Sequence, residues 1–414
     1  MKYPKYSKYK DSGVEWIGEI PKEWNAVKLG NFAKANSGKR PPLIEIDGKI
    51  PIYGANGVIG HTNTSMNNEL KLLVGRVGSS GAVNIAYPPC WISDNVLIIS
   101  YDCNALSFNF LYHLLGLLDY SIEKSNTAQP LITSSALMAK KIPIPPIEEQ
   151  AKIENFLDEV SNKIGKLIKY IMETVELLKE KRQAIITNAV TKGLEPNVPM
   201  KDSGIEWVGQ IPEHWKLSRI KFVSEVTMGQ SPPSYSYLDH GELPFLQGCA
   251  EFGEISPNPK HYCEIATKIS YPGDILLSVR APVGELNLSD RFYGIGRGLC
   301  SIRSLRTGVD YLKWYLHVAK NNLISLSNGS TYDAVTISDV KNLKIPISKD
   351  KLEQDTISEY INTETSKIDI LISKQHNMIE LLNEYKTSLI TQAVTGKIDV
   401  RGFTPPTASS DSLH

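Results

Sequence analysis

No stretch of this 414-residue sequence is apolar for the roughly 18 positions that a bilayer-crossing helix needs, so a transmembrane helix is excluded. Met1 to Ser12 are polar and rich in Tyr and Lys, without the apolar core of a secretory leader, and the expected location is the cytoplasm. Net charge is missing too. The 45 Lys and Arg balance 45 Asp and Glu, which excludes a histone-like basic protein and an acidic tail. Cysteine is scarce: Cys90, Cys103, Cys249, Cys263 and Cys300 form no C-x-x-C pair, and an odd count argues against a closed disulfide set. His240, Cys249, His261 and Cys263 fall near one another in sequence but read as scattered core or surface residues rather than a zinc site.

Catalytic signatures are absent as well. There is no G-x-x-x-x-G-K-[ST] phosphate loop, no G-x-S-x-G elbow and no H-E-x-x-H pair. Gly294-x-Gly296-x-Gly298 lacks the dinucleotide frame and reads as a flexible loop. Ser231-Pro232-Pro233-Ser234 and Tyr87-Pro88-Pro89-Cys90 lack the aromatic fourth residue of an amino-methyltransferase turn. The chain is expected to catalyse nothing by itself. With 41% hydrophobic and 22% charged residues it has the composition of a folded globular protein, long enough for two or three domains.

What is present is a duplication. Residues 11–24 read DSGVEWIGEIPKEW and residues 202–215 read DSGIEWVGQIPEHW, identical at nine of fourteen positions. Lys141-Ile142-Pro143-Ile144 is echoed by Lys344-Ile345-Pro346-Ile347, Glu149-Gln150 by Glu353-Gln354, and Thr187-Asn188-Ala189-Val190-Thr191 by Thr391-Gln392-Ala393-Val394-Thr395. A period near 200 residues is too long for a solenoid; it marks a duplicated two-part unit. The tryptophans of the repeated box read as packing anchors.

The second part of each unit is helical. Ile153, Leu157, Val160, Ile164, Leu167, Ile171, Thr174 and Leu178 recur at 4-3 spacing, as coiled-coil seams do. Ile357, Ile361, Glu364, Ile368, Leu371, Gln375, Met378, Leu382, Tyr385 and Leu389 continue the pattern in the second half. Each block allows about 45 helical residues, or 65–70 Å at ~1.5 Å per residue. Two such seams in one chain most economically pack on each other, antiparallel if the halves are related by a two-fold; an intermolecular coil is the alternative. The first parts read as α+β, with strands at 71–74, 96–99 and 275–279 bounded by Gly, Pro, Asn and Ser, and short helices from Phe108 to Tyr120 and Val309 to Ala319.

The fold class is therefore α+β: two similar α+β domains, each followed by a long helix, the helices forming an antiparallel coiled coil. The expected boundaries are 1–140 and 199–343 for the domains, 141–198 and 344–399 for the helices, and 400–414 for a flexible tail.

The ordered set of boxes resembles the specificity subunits of type I restriction–modification systems over nearly the whole chain. It comprises D-S-G-[VI]-E-W-[IV]-G-x-I-P-x-x-W, a K-I-P-[IL]-P-P-x-x-E-Q opening of each helix, and its A-[VI]-x-x-G end. The chain departs from it in two places: Lys344-Ile345-Pro346-Ile347-Ser348-Lys349 lacks the double proline, and the ends read Thr191-Lys192-Gly193 and Thr395-Gly396-Lys397. The resemblance implies a non-catalytic reader of double-stranded DNA. Each variable block is a target recognition domain for one half of a split target, and the helices act as spacer and docking surface for two methyltransferase subunits. Those partners carry S-adenosylmethionine. Motor-nuclease subunits, which use ATP and Mg, join in systems that cut. A structural coiled-coil oligomerisation protein without DNA binding is the competing reading.

For base contacts, loops with Arg, Lys, Asn, Gln, Ser and Tyr are the candidates, since Arg pairs bidentately with guanine and Asn or Gln with adenine. In the first domain these are Lys39, Arg40, Arg76, Ser79, Ser80 and Asn84; in the second, Gln230, Tyr235, Arg280, Arg297 and Tyr332. Residues 75–81 and 278–284 occupy corresponding places, which raises Arg76 and Arg280. Residues 1–140 carry 14 basic and 11 acidic side chains, and residues 199–343 carry 14 and 15. Phosphate contacts demand local positive charge, so either basic residues cluster on one face or partners supply much of the grip.

Overall fold

The computed structural model describes residues 3–120, 131–327 and 334–404. The chain divides into two compact units, Met1–Ile171 with Asn377–His414, and Met172–His376. The units are built from the same parts.

The repeated box is a hairpin closed by two left-handed glycines. Tyr9–Asp11 pairs antiparallel with Glu19–Pro21 in the first unit, and Met200–Asp202 with Gln210–Pro212 in the second. Asp11 Oδ1 accepts the Gly13 N–H at 2.9 Å, as Asp202 Oδ1 accepts that of Gly204 at 2.9 Å. Gly13, Gly18, Gly204 and Gly209 all have φ between +63° and +68°, which a Cβ would strain. The I-P-x-x-W end of the box then turns Trp24 and Trp215 into the two cores, where both are fully buried.

Each unit carries a four-stranded antiparallel sheet in the spatial order 33–37, 96–101, 71–75, 83–86, or 224–228, 299–304, 275–278, 286–288. The apolar faces of Leu72, Val74, Leu97 and Ile99, and of Ile275, Leu277, Cys300 and Ile302, are buried against short helices at Phe108–Leu117 and Val309–Val318. A smaller sheet stands beside each. In the first unit Gly57–Thr62, Ile50–Gly54 and Trp91–Ile92 pair in that order, and 50–54 runs parallel to 91–92. In the second, His261–Tyr262, Pro244–Leu246, Tyr293–Ile295 and Ile269–Ser270 pair likewise, with 244–246 parallel to 293–295.

This corrects the reading of Gly294-x-Gly296-x-Gly298. Gly294 lies within a strand, and a Cβ there would sit 2.6 Å from the Ala266 methyl; one on Gly298 would sit 2.5 Å from the Gln247 carbonyl oxygen. The glycines allow close packing of backbones rather than flexibility.

Lys141–Ile144 and Lys344–Ile347 are strands, not helix openings; they pair with Asn25–Lys28 and Lys216–Arg219. The long helices run Ile147–Lys192 and Lys351–Val394. The repeated Glu-Gln explains itself here. Gln150 accepts the Ser107 N–H at 2.9 Å and donates to the Ala105 carbonyl at 2.8 Å, and Gln354 accepts the Gly308 N–H at 2.9 Å, so each glutamine ties a long helix to the start of a short one. The start of the first long helix shares a core with the end of the second in the first unit (Ile153, Leu157 and Val160 with Leu389, Ala393 and Val394). In the second unit Ile186, Ala189 and Val190 share one with Ile357 and Ile361, and Arg182 forks onto Asp369. The two helices thus run antiparallel.

Their seam departs from the heptad. Ile153, Leu157, Val160, Ile164, Ile171, Ile357, Ile361, Ile368 and Leu389 are buried as expected. Leu178 and Leu382 are only half-buried. Leu167, Leu371 and Met378 are exposed at 46%, 43% and 48%, and Ile168, Ile372 and Ile379 turn inward beside them. An unstrained helix has 3.6 residues per turn, so a strict seven-residue seam drifts by about 20° per heptad. The buried positions follow an eleven-residue spacing instead: Ile153, Ile164, Val175 and Ile186.

Each helix ends on a left-handed glycine set against a tryptophan: Gly193 (φ +74°) beside Trp215, and Gly396 (φ +70°) beside Trp24. Beyond Gly396 the chain meets its own beginning. The Asp399 N–H donates to the Pro4 carbonyl at 2.8 Å, Arg401 lies over the Tyr6 ring at 4.9 Å, and Phe403 and Tyr3 both pack edge-on against Phe156. Val400, assigned to the tail from sequence, is therefore core, at 2% exposure.

Candidate nucleic-acid interface

In each unit three loops gather at one end of the main sheet, and the hydrogen bonds put them in register. The strand 33–37 ends at Gly38, packed against the Ser93 carbonyl, and 224–228 ends at Gly229, packed against the Gly296 carbonyl. The next N–H, from Lys39 or Gln230, donates to the Ile92 or Ile295 carbonyl at 3.0 and 2.8 Å. Lys39 and Gln230, both singled out from sequence, are thus one structural position with two chemistries. The Ser93 N–H donates to the Tyr53 carbonyl at 2.9 Å as that of Gly296 does to Leu246 at 2.7 Å.

The hairpins 75–81 and 278–284 correspond residue for residue as the sequence places them, but Arg76 and Arg280 then fall on neighbouring positions rather than on one. The Gly81 N–H bonds the Gly75 carbonyl, and that of Gly284 bonds Ser278; the Arg76 N–H bonds Asn95, and that of Val279 bonds Gly298. Arg76 therefore matches Val279, and Arg280 matches Val77. The match matters because alternate residues of extended chain face opposite ways. Arg76 is half-buried, with Nη1 donating to Ser37 Oγ at 3.0 Å and Nε buried without an acceptor among the described residues. Val279 is buried, whereas Arg280 is exposed.

Asn84 also moves from reader to scaffold. It pairs with Leu73 as Asn287 pairs with Leu276. Both amides donate across to the smaller sheet's loop, to Ala55 O at 3.2 Å and Gly253 O at 2.7 Å. Ser80 spends its hydroxyl on the Arg76 carbonyl at 3.2 Å, while Ser79 is exposed at the hairpin tip. Lys39 and Arg40 are exposed at the loop following Gly38.

In the second unit the loops enclose a cleft of about 640 Å³ lined by Ser231, Tyr237, Gln247, Glu251, Arg280 and Arg297, among others. Arg280 and Arg297 are exposed there, and neither guanidinium meets an acid among the described residues. Arg303 differs: it forks onto Asp274 at 2.9 and 3.1 Å and serves the fold. Gln230 and Tyr235 are exposed beside the cleft, Tyr235 at 85%. Tyr332 lies outside the described residues. The structure adds Gln247, which no local motif marked, because its place depends on the parallel pairing of two short strands far apart in sequence. Cleft-lining guanidiniums free of acids, with amide and hydroxyl groups between them, suit the acceptor-rich edges of base pairs.

Comparison with known proteins agrees with that chemistry. The family model for the type I restriction modification DNA specificity domain matches twice, at residues 21–177 and 212–381. A Methanocaldococcus jannaschii protein named the MjaX specificity subunit of a type I restriction enzyme is 35% identical over 421 residues, covering 93% of this chain and 96% of the relative. The EcoBI specificity subunit of Escherichia coli is 20% identical over 94% of this chain and 89% of its own. Among solved structures, a chain from a study of complex assembly and conformational transition in the type I R-M system matches at a TM-score of 0.72. It is 24% identical and covers 92% of this chain and 99% of its own. The HsdS subunit from Thermoanaerobacter tengcongensis matches at 0.55, also at 24% identity, covering 92% and 98%. With two specificity domains, each carrying its own loop cluster, the chain belongs to the family of type I restriction–modification specificity subunits, and its work is DNA target recognition.

Proposed function

We propose that each unit reads one half of a split DNA target, and that the chain directs catalysis without performing any. The observation that carries this is the pair of equivalent loop clusters. One backbone frame presents Lys39 and Arg40 in the first unit, and Gln230, Arg280 and Arg297 in the second, so two different sequences are read by one architecture. The continuous helices set the unread spacer, as dimer geometry sets half-site spacing in other DNA readers.

The same helices offer docking surfaces for two methyltransferase subunits. Leu167, Tyr170, Leu381 and Tyr385 are exposed on them in the first unit, and Met172, Leu177, Ile370 and Leu371 in the second. A groove of about 1020 Å³ in the second unit runs between the box residues Ile205 and Trp207 and the helix residues Gln183 and Thr187. S-adenosylmethionine enters with the methyltransferase subunits, and ATP and Mg with motor-nuclease subunits where those join. With near-balanced charge in both domains, the isolated chain binds DNA weakly and the partners supply much of the phosphate grip.

The test is a methylation map of cellular DNA with this chain and a methyltransferase subunit co-expressed, compared with the methyltransferase alone. A split adenine-methylated motif that depends on this chain is the expected result. A stable complex that yields no new motif refutes target reading and leaves a structural coiled coil.

A further inference from the structure

The turn that follows the parallel strand pair carries opposite charges in the two units. In the first unit it reads Ser93-Asp94-Asn95, and in the second Gly296-Arg297-Gly298. The equivalence follows from three hydrogen bonds repeated in both: Lys39 or Gln230 to Ile92 or Ile295, Ser93 or Gly296 to Tyr53 or Leu246, and Arg76 or Val279 to Asn95 or Gly298. Asp94 therefore stands where Arg297 stands. Both are exposed, and neither side chain has an ion-pair partner among the described residues.

The backbone at this position is held from both sides. Gly296 and Gly298 pack directly on Leu246, Gln247 and Gly248, and the Arg297 N–H donates to Ser231 Oγ at 3.3 Å. A side chain leaving so fixed a backbone is aimed before any ligand arrives, which a reading site requires.

An unpaired carboxylate on a DNA-facing loop is repelled by every phosphate, so it belongs there only if it accepts a hydrogen bond that phosphates do not offer. In the major groove that donor is an exocyclic amino group, with cytosine N4 the usual partner of Asp; Arg in the same place meets guanine O6 and N7. From this we infer that residue 94/297 is a specificity-determining position common to the two units, Asp94 selecting cytosine in one half-site and Arg297 selecting guanine in the other. The inference rests on the target-reading function proposed above.

The experiment uses the full chain in complex with its methyltransferase subunits. Asp94→Ala and Arg297→Ala are made separately, and binding is competed against duplexes that differ from the cellular motif by one base pair at a time. Each variant should lose roughly 5- to 150-fold of discrimination at one base pair, within its own half-site, and leave every position of the other half-site as in the unaltered complex. Arg297→Lys should lose less of that discrimination than Arg297→Ala, because an ammonium still reaches O6 and N7 but without the rigid planar fork of the guanidinium. Uniform weakening on all duplexes would mean a phosphate contact, and retained discrimination at every base pair would mean a surface charge; either overturns the inference. An unaltered complex with no motif at all would instead overturn the target-reading function, so the two failures are distinguishable.

Discussion

Replacing Trp215 with Phe should destabilise the protein more than replacing Trp24 with Phe, although both indoles are fully buried at equivalent places. Each substitution removes the same ring atoms from a packed core, so the transfer and cavity losses cancel to first order. What differs is the indole N–H. Trp215 Nε1 donates to Glu353 Oε1 at 2.9 Å, whereas Trp24 Nε1 is buried with no acceptor among the described residues. The carboxylate equivalent to Glu353 in the first unit is Glu149, and it takes the Tyr6 hydroxyl instead.

A hydrogen bond to a charged group contributes about 1.5–3 kcal/mol. Glu353 is 27% exposed and also meets His214 at 3.1 Å, which puts Trp215 near the lower end of that range. Removing the orphaned N–H of Trp24 offsets part of its cavity loss, so the two variants should differ by about 1.5 kcal/mol or more.

The measurement is urea unfolding of both variants, with the midpoint of each unit's transition followed separately. The gap should also depend on pH. Burial pushes the Glu353 carboxyl up, but hydrogen bonds from Ser348, Trp215 and His214 outweigh it and hold the group below the usual carboxylate range. A folded-state pKa below the unfolded one contributes stability above the unfolded value, and that stability is lost as pH falls through the folded one. The gap should therefore narrow as the solution is acidified below about pH 4.3. Equal losses at neutral pH, or a larger loss for Trp24→Phe, would refute the reasoning.

Other consequences are as accessible. Gly396→Ala forces a Cβ into left-handed backbone and against Pro21, and should cost about 1–2 kcal/mol or more by thermal melting; a loss under half of that would contradict the cap geometry. Burial holds His113 and His317 below the ordinary imidazole range, so each favours the neutral form in the fold. Stability should decline as pH falls below about 6.5, and replacing both with Gln should flatten the decline. Adding eleven residues, three turns, to the first long helix between Ile164 and Lys181 and a matching insert to the second preserves the buried spacing. It should lengthen the spacer of the methylated motif; an unchanged spacer would end the ruler idea.

The duplication, the long helices and the main-sheet strands were legible because their signals are local: apolar periodicity, repeated boxes, and Gly or Pro at the ends. The heptad overran because leucines and methionines occur on both sides of the true seam, and only packing tells Leu167 from Ile168 or Met378 from Ile379. Lys39, Arg280 and Arg297 were readable as exposed basic loop residues. Asn84 was not readable as scaffold, since its partner, the Ala55 carbonyl, lies 29 residues away across another sheet. Asp94 gave no signal either; an acid draws no notice in a search for DNA contacts until its position is matched to Arg297.

The meeting of Asp399 with Pro4 has a topological meaning. In the second unit, the stretch from Gly193 to Met200 is one unbroken peptide leading from a helix cap into a box hairpin. In the first unit, the same path from Gly396 to Tyr9 is bridged by a hydrogen bond between two chain ends. Within the first unit a non-covalent contact does the joining that a peptide does in the second, so chain continuity is not what sets the hairpin on the helix cap. A gene opened within residues 194–199 and joined by a short linker from Phe403 to Tyr3 should encode the same protein, with its beginning and end moved to the other half.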